Sequence, residues 1–242
     1  MTDARYGALD PTRIAPRSRA LGAATIVLAI GFNLPYAGLA ASFDYPQVLR
    51  RPAHDALAMF LAAGPQLILL WYGFFACALA LTLLAPGLAV TPARLAARPA
   101  LALGAALTGA LAGLAQAIGL SRWVFAVPDL ARDGSPAAAR DFQLLNAWGG
   151  VAIGEHVGQL LTAAFVLQVA LMQRTEAGSR LTAVTGLCTA GLLALGAGEG
   201  VALALGQDDA TLALVTVAGF MALTLWLIAT GVGLLRAGPA RT

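Results

Sequence analysis

Residues 148–159 read WGGVAIGEHVGQ and open an apolar segment that ends near Met172. The segment is long enough to cross a bilayer, which takes about 20 apolar residues in a helix. It also places the carboxylate of Glu155 beside the imidazole of His156. Ionisable groups are costly inside a membrane and usually serve a purpose there. This stretch therefore predicts both a membrane-spanning helix and a site.

The composition of the chain is that of a polytopic membrane protein. Of its 242 residues 59% are hydrophobic and 11% are charged, whereas soluble domains carry about 25% charged residues. Cys77 and Cys188 fall inside apolar segments, which is typical of small buried residues rather than of a disulfide. The sequence holds no nucleotide fingerprint, no cysteine cluster and no nucleic-acid-binding pattern. We expect no nucleic-acid partner and no cofactor.

Six apolar segments predict an all-α transmembrane bundle that forms one membrane domain over residues 1–242. The predicted spans are 21–40, 66–84, 101–125, 147–172, 181–205 and 212–235. Pro35 is expected to kink or end the first helix, because proline lacks a backbone donor.

The connections between the spans also carry predictions. Leu57, Phe60 and Leu61 share one helix face, which favours a short helix lying on the membrane surface between spans one and two. The polar residues 128–146 are expected to form a partly helical excursion that faces water. Asp208 and Asp209 are expected to form a tight turn before span six.

The distribution of arginine predicts the orientation, because positive loops tend to stay in the cytoplasm. Ten of the fifteen arginines fall on the side of the two termini and five on the other. The ten are Arg5, Arg13, Arg17, Arg19, Arg94, Arg98, Arg174, Arg180, Arg236 and Arg241; the five are Arg50, Arg51, Arg122, Arg132 and Arg140. We expect a multi-pass protein of the bacterial cytoplasmic (inner) membrane with both termini cytoplasmic.

Polar residues of several spans fall at one depth. At about 1.5 Å of rise per residue, Glu155 lies about 12 Å and Glu199 about 9 Å below the outer ends of their helices. Independent spans would not share this depth unless the polar groups faced a common pocket that opens outward. The expected lining of that pocket is Asn33, Tyr72, Gln116, Arg122, Glu155, His156, Gln159 and Glu199.

The spacing within span four supports the same pocket. Glu155, Gln159 and Thr162 recur at helical steps, and a strip of small residues runs beside them at Gly150, Gly154 and Gly158. Such a strip lets a neighbouring helix approach closely, and glycine-rich faces also allow a homo-oligomer. Within the spans, Arg122 is the cation expected to neutralise the carboxylates or an anionic headgroup.

Three roles fit these residues. The favoured one is a protein that binds a small or lipid-like molecule beside membrane lipids, in sensing, accessory or transport work. An intramembrane enzyme would use Glu155 and His156 as an acid–base pair or as a metal or cofactor site completed by Glu199 and His54. Two histidines are few for zinc, which usually takes three protein ligands in a catalytic site, and we lean against an enzyme. The third role is a structural membrane subunit.

Three phrases of the sequence also carry a resemblance. They are 43–53 (FDYPQVLRRPA), 111–128 (LAGLAQAIGLSRWVFAVP) and 150–160 (GVAIGEHVGQL). Together they resemble an uncharacterised family of bacterial six-helix integral membrane proteins that is known as a domain of unknown function. The resemblance implies the six-helix fold and the membrane location, and it implies no activity.

Overall fold

A computed structural model describes residues 14–176, 178–207 and 210–236, and the side chains of 14–18 are not described. The predicted turn at Asp208 and Asp209 lies outside these residues, as do Arg5, Arg13 and Arg241 of the charge count. In the described part every regular element is helical, and six helices are long and apolar enough to cross a membrane. The all-α fold with six spans is therefore confirmed.

The six spans are built from the following elements. They are α1 (Ile14–Phe43), α3 (Pro65–Ala89), α5 (Pro99–Phe125), a π segment (Asn146–Val157) continued by α8 (Gly158–Gln173), α9 (Arg180–Gly196) with α10 (Gly198–Ala204), and α11 (Ala210–Arg236). The connections hold a 3₁₀ helix (Gln47–Arg50), α2 (Ala53–Ala63), α4 (Pro92–Ala97), α6 (Val127–Asp133) and α7 (Pro136–Leu145).

The spans form a closed ring in chain order. Each packs against the next, from α1 through α3, α5, α8 and α9 to α11, and α11 packs back against α1. We call the end where α1 begins and α11 ends the terminal end, and the other end, which carries the 3₁₀ helix, α2, α6 and α7, the loop end. An even number of spans places the start of α1 and the end of α11 at the same end of the ring.

Apolar side chains fill the ring at its terminal half and cap it at the loop end. The terminal cluster centres on Phe165 and Trp226, both fully buried, with ring centroids 5.9 Å apart. The loop-end cluster is aromatic, with Trp71 stacked on Trp123 at 4.8 Å and Phe43 packed edge-on against both. The space between the two clusters is not filled by side chains.

The loop-end helices pack against the end of the helix ring. Helix α2 packs on α6 and α7 and buries Leu57 and Phe60 in the aromatic cluster, while Leu61 points outward. The predicted short helix therefore exists, but its apolar face covers the bundle instead of a membrane surface. The excursion at 128–146 is partly helical, as predicted.

Pro35 does not end the first helix. Helix α1 continues past Pro35 to Phe43, and α3 likewise continues past Pro86 to Ala89. Neighbouring helices in a membrane bundle support a proline that would end an isolated helix.

Candidate ligand-binding cavity

A cavity of about 580 Å³ occupies the ring between the two clusters. Its volume falls within the about 300–1,000 Å³ that is common for small-molecule sites. Leu81, Leu223 and Leu227 of the terminal cluster bound it on one side, and Tyr45, Trp71 and Trp123 of the aromatic cluster bound it on the other. Among the predicted site residues, Asn33, Gln116, Arg122, Glu155, Gln159 and Glu199 line this cavity.

Arg50 holds the two intramembrane carboxylates together. Its Nη2 donates to Glu155 Oε2 and to Glu199 Oε1, each at 2.7 Å. The side chain of Glu199 is 13% exposed and that of Glu155 is 31% exposed, so water screens both pairs only in part. One guanidinium from the 3₁₀ helix thus ties spans four and five together at the loop end.

This ion pair corrects the expectation that Arg122 neutralises the carboxylates. Arg122 donates to the Gly119 carbonyl and, at 3.0 Å, to Asn146 Oδ1, and it forms no ion pair among the described residues. The Asn146 side chain in turn donates to the Leu49 carbonyl at 3.1 Å. Arg122 therefore helps to anchor the 3₁₀ helix through Asn146, while Arg50 of that helix reaches the carboxylates.

Electrostatics at the loop end follow from this arrangement. Burial by itself would lower the pKa of Arg50, but the charge of Glu155 and the hydrogen bonds to both carboxylates raise it above the usual value. Burial raises the pKa of Tyr45, and the negative charge of Glu155 raises it further. Arg50 is therefore charged and Tyr45 neutral at physiological pH.

The residues that carry Glu155 form a π segment of 12 residues, with hydrogen bonds from i to i+5. Such segments are rare and usually span one turn. Gly149, Gly150 and Gly154 lie within it, and glycine weakens the preference for an α-helix by about 1 kcal/mol relative to alanine. The predicted glycine strip thus also lowers the cost of forming a π helix here in place of an α-helix.

The glycine strip does bring a neighbouring helix close. A methyl group on Gly119 of α5 would lie 2.7 Å from Gly154 Cα, and one on Gly150 would lie 2.5 Å from Arg122 Nη2. A methyl group on Gly158 would meet Gln116 Cγ at 2.9 Å. These glycines pack against other helices of the same chain. The homo-oligomer stays a prediction.

Several predicted polar residues connect helices around the cavity. Gln116 donates to Thr162 Oγ1 at 2.8 Å, which joins α5 to α8. Gln159 donates to the Leu193 carbonyl at 3.0 Å, and Asn33 donates to Thr224 Oγ1 at 3.0 Å. Each of these side chains bonds to a neighbouring helix, so the cavity is preorganised by bonds between helices.

The structure does not bring His156 or Tyr72 into the cavity. The Ala197 carbonyl accepts from His156 Nδ1 at 2.8 Å, and Gly200 leaves room for the ring. His156 therefore joins the π segment to the α9–α10 junction. Tyr72 is 51% exposed on the outer face of α3, because one helical step turns it about 100° away from the lining residue Trp71.

The candidate metal set does not converge either. The His54 side chain is 82% exposed on α2, where its neighbour is the carboxylate of Asp55. Within the described ranges, no three histidine, cysteine, aspartate or glutamate side chains lie close enough together to hold a metal ion. The acid–base pairing of Glu155 with His156 also fails in geometry, since Glu155 binds Arg50 and His156 binds Ala197.

Sequence reasoning missed Arg50 and Asn146. Both lie outside the predicted spans, whereas the predicted counter-charge, Arg122, lies within one. A signal was nevertheless present, because Arg50 is one of five arginines on the side where Glu155 and Glu199 approach the surface. Two carboxylates at one depth make each of these arginines a candidate ion-pair partner.

The family can be assigned once this geometry is known. No curated protein and no solved structure matches the chain. A family model matches residues 20–231, which include all the cavity residues and the whole helix ring apart from its two ends. The chain therefore belongs to the family described as "Domain of unknown function (DUF4386)".

Proposed function

We propose that the protein binds an amphiphilic, lipid-like molecule in the cavity, in a sensing, accessory or transport role. The observation that carries the proposal is the contrast within one cavity between apolar walls and a charged end. Phe32, Val217 and Phe220 belong to the walls, whereas Arg50, Glu155 and Glu199 meet at the loop end. A small polar solute would leave the apolar walls without a partner.

An opening toward the surrounding lipid supports this choice. Leu214 and Met221 of α11 line the cavity, and 72% and 39% of their surfaces are exposed. We infer that the cavity opens to the lipid-facing surface along α11. An apolar tail that enters there stays in apolar surroundings, so its transfer carries little desolvation cost.

The packing of α1 against α11 is closest at the terminal end. Gly22 and Gly231 lie so close that a methyl group on either would fall 2.7 Å from the carbonyl oxygen of the other. Asn33 and Thr224 make the side-chain bond between these helices that lies nearest to the cavity. We infer that the ligand enters beside α11, on the loop-end side of this bond.

We place the protein in the cytoplasmic membrane of a bacterium, with both termini in the cytoplasm. The bias of arginine toward the terminal end supports this orientation. The loop end, with Arg50 and the aromatic cluster, then faces outward, and the ligand is a molecule of the outer leaflet.

Native mass spectrometry of the purified full-length chain, with extraction and identification of co-purifying lipids, tests the proposal. We expect wild-type protein to retain a bound amphiphile. Val217→Trp, which fills the cavity, should lower its occupancy about tenfold. Leu225→Trp is the matched control, because Leu225 is 67% exposed on the outer face of the same helix.

Two results would overturn the proposal. One is a wild-type protein that retains no lipid and takes up none when incubated with a membrane lipid extract. The other is equal occupancy in wild type, Val217→Trp and Leu225→Trp, since a lipid held only on the outside of the ring is indifferent to the cavity. Either result would favour a structural subunit, in which the Arg50 pair only holds helices together.

A further inference from the structure

The cavity is lined by a buried guanidinium that forms no ion pair with the residues that the structure describes. Arg122 is 8% exposed, and the acceptors it finds in the described chain are the neutral oxygens of Gly119 and Asn146. Its Nε–H has no hydrogen-bond partner there. A guanidinium carries five N–H donors, and leaving a charged group buried without a charged partner is costly. The protein bears this cost at a residue that lines the cavity.

Two further donors without partners belong to the same cavity. The indole N–H groups of Trp71 and Trp123 are buried and find no acceptor among the described residues. Both indoles line the cavity, stacked at 4.8 Å, and Arg122 Cζ lies 5.4 Å from the ring centre of Trp123. Buried N–H groups are nearly always hydrogen-bonded in native proteins. The three residues that carry these exceptions all line the cavity.

We propose that the ligand carries an anionic oxygen group, either a carboxylate or a phosphate, and that Arg122 is its counter-ion. The inference rests on the proposed function, since it assumes that the cavity holds an amphiphile. The carboxylates of the cavity are themselves bound to Arg50, which leaves Arg122 as the lining cation that forms no ion pair in the described structure. Carboxylate and phosphate oxygens accept several charge-assisted bonds from one guanidinium.

Binding to the full-length protein in a neutral detergent at pH 8 tests the inference with probes that share one tail. Hexadecanoate is compared with methyl hexadecanoate, which keeps the oxygens and loses the charge. Dioleoylphosphatidylglycerol is compared with dioleoylglycerol, which keeps both tails and lacks the phosphate. We expect the anionic member of one pair to bind at least about tenfold more tightly, because hydrogen bonds to a charged acceptor are stronger than those to a neutral one. The pair that shows the preference identifies the carboxylate or the phosphate as the natural group.

Variants assign the preference to Arg122. Arg122→Gln should reduce the ratio of anionic to neutral affinity to near one, and Arg122→Lys should give an intermediate ratio because it keeps the charge without the planar fork. Arg132→Gln is the matched control, since Arg132 lies in α6 with its side chain 66% exposed and paired with Asp129. It should leave the ratio unchanged.

The outcomes separate the two proposals. If the wild-type protein binds charged and uncharged probes equally and Val217→Trp binds both more weakly, the inference of an anionic group is overturned and amphiphile binding stays supported. An anionic preference that persists in Arg122→Gln also overturns the inference. Failure of all four probes to bind overturns both proposals together. The wild-type ratio needs no variant, so a folding defect in Arg122→Gln does not remove the test.

Discussion

The two halves of the helix ring use the same six helices in opposite ways. In the terminal half, large side chains such as Phe165 and Trp226 meet at the centre and fill it. In the loop half, the centre holds a cavity of about 580 Å³, and the helices are tied at the rim by Arg50, Glu155 and Glu199. In the terminal half, packed side chains fill the centre. In the loop half, ion pairs and close glycine contacts hold the helices around an open centre.

The difference shows how a membrane bundle can keep an interior space. Helices in lipid gain little from burying apolar surface, so their contacts depend on close packing and on polar bonds. The loop half obtains close packing from Gly119 and Gly154 at one point on the wall, which leaves the centre free. The terminal half also has a close glycine contact, between Gly22 and Gly231, but its centre is filled by side chains as well. Each prediction below alters one of these contacts.

The largest expected effect comes from emptying the terminal half. Trp226→Ala removes a fully buried indole that packs on Phe165 and donates to Gln173 Oε1 at 3.3 Å. We expect a loss of about 3–5 kcal/mol of stability, as for other large-to-small core changes. Thermal unfolding in detergent measures it, and Trp148→Ala is the control because Trp148 is 67% exposed. Equal melting temperatures for the two variants would refute the filled interior.

The second effect comes from separating the close wall of the loop half. Gly119→Ala places a methyl group 2.7 Å from Gly154 Cα, so two backbones must move apart. Overpacking of this kind costs about 1–3 kcal/mol. Gly191→Ala is the control, because that helical glycine of α9 has open space around it and should gain up to about 1 kcal/mol from helix propensity. The melting temperature in detergent should therefore fall in Gly119→Ala and rise in Gly191→Ala. A shift in the same direction in both variants would contradict the close contact.

The third effect comes from the rim. Arg50→Gln leaves two carboxylates without their shared guanidinium, and we expect a loss of about 1–2 kcal/mol, less than for a fully buried pair because the site is partly exposed. Arg51→Gln is a matched control next in the chain, where the pair with Asp44 is on the surface and contributes less than about 1 kcal/mol. Equal stabilities of the two variants would argue against the rim as a structural element.

The smallest effect is a change with pH. Burial, and then the charge of Glu155, raise the pKa of Tyr45. Stability from the neutral phenol is complete below the unfolded-state pKa of about 10 and is lost as the pH rises above it, by at most about 1.4 kcal/mol per pH unit. Tyr45→Phe should flatten the decline in melting temperature between pH 9 and 11. Tyr72→Phe on the outer face should not, and parallel curves for all three proteins would exclude Tyr45 as the cause.

Much of the fold was predictable because membrane solvation constrains the sequence directly. Six apolar runs, two glutamates at similar depths, and a glycine strip are properties of the chain that need no contact information. Tyr72 and His156 lie outside the lining of the cavity, because depth along a helix does not determine the face of the helix. Pro35 does not end its helix, because the effect of a proline depends on the neighbouring helices that support it.

The sequence by itself determined the six spans and the residue types that surround the cavity, since a bilayer admits long apolar helices and makes each buried charge conspicuous. Only the tertiary structure decided which cation meets which carboxylate. Arg50 lies 105 residues from Glu155 and 149 from Glu199 in the chain, and no local pattern relates positions so far apart. Closure of the ring brings them together, and it leaves Arg122, the arginine expected to pair with the carboxylates, facing the cavity without an ion partner in the described structure.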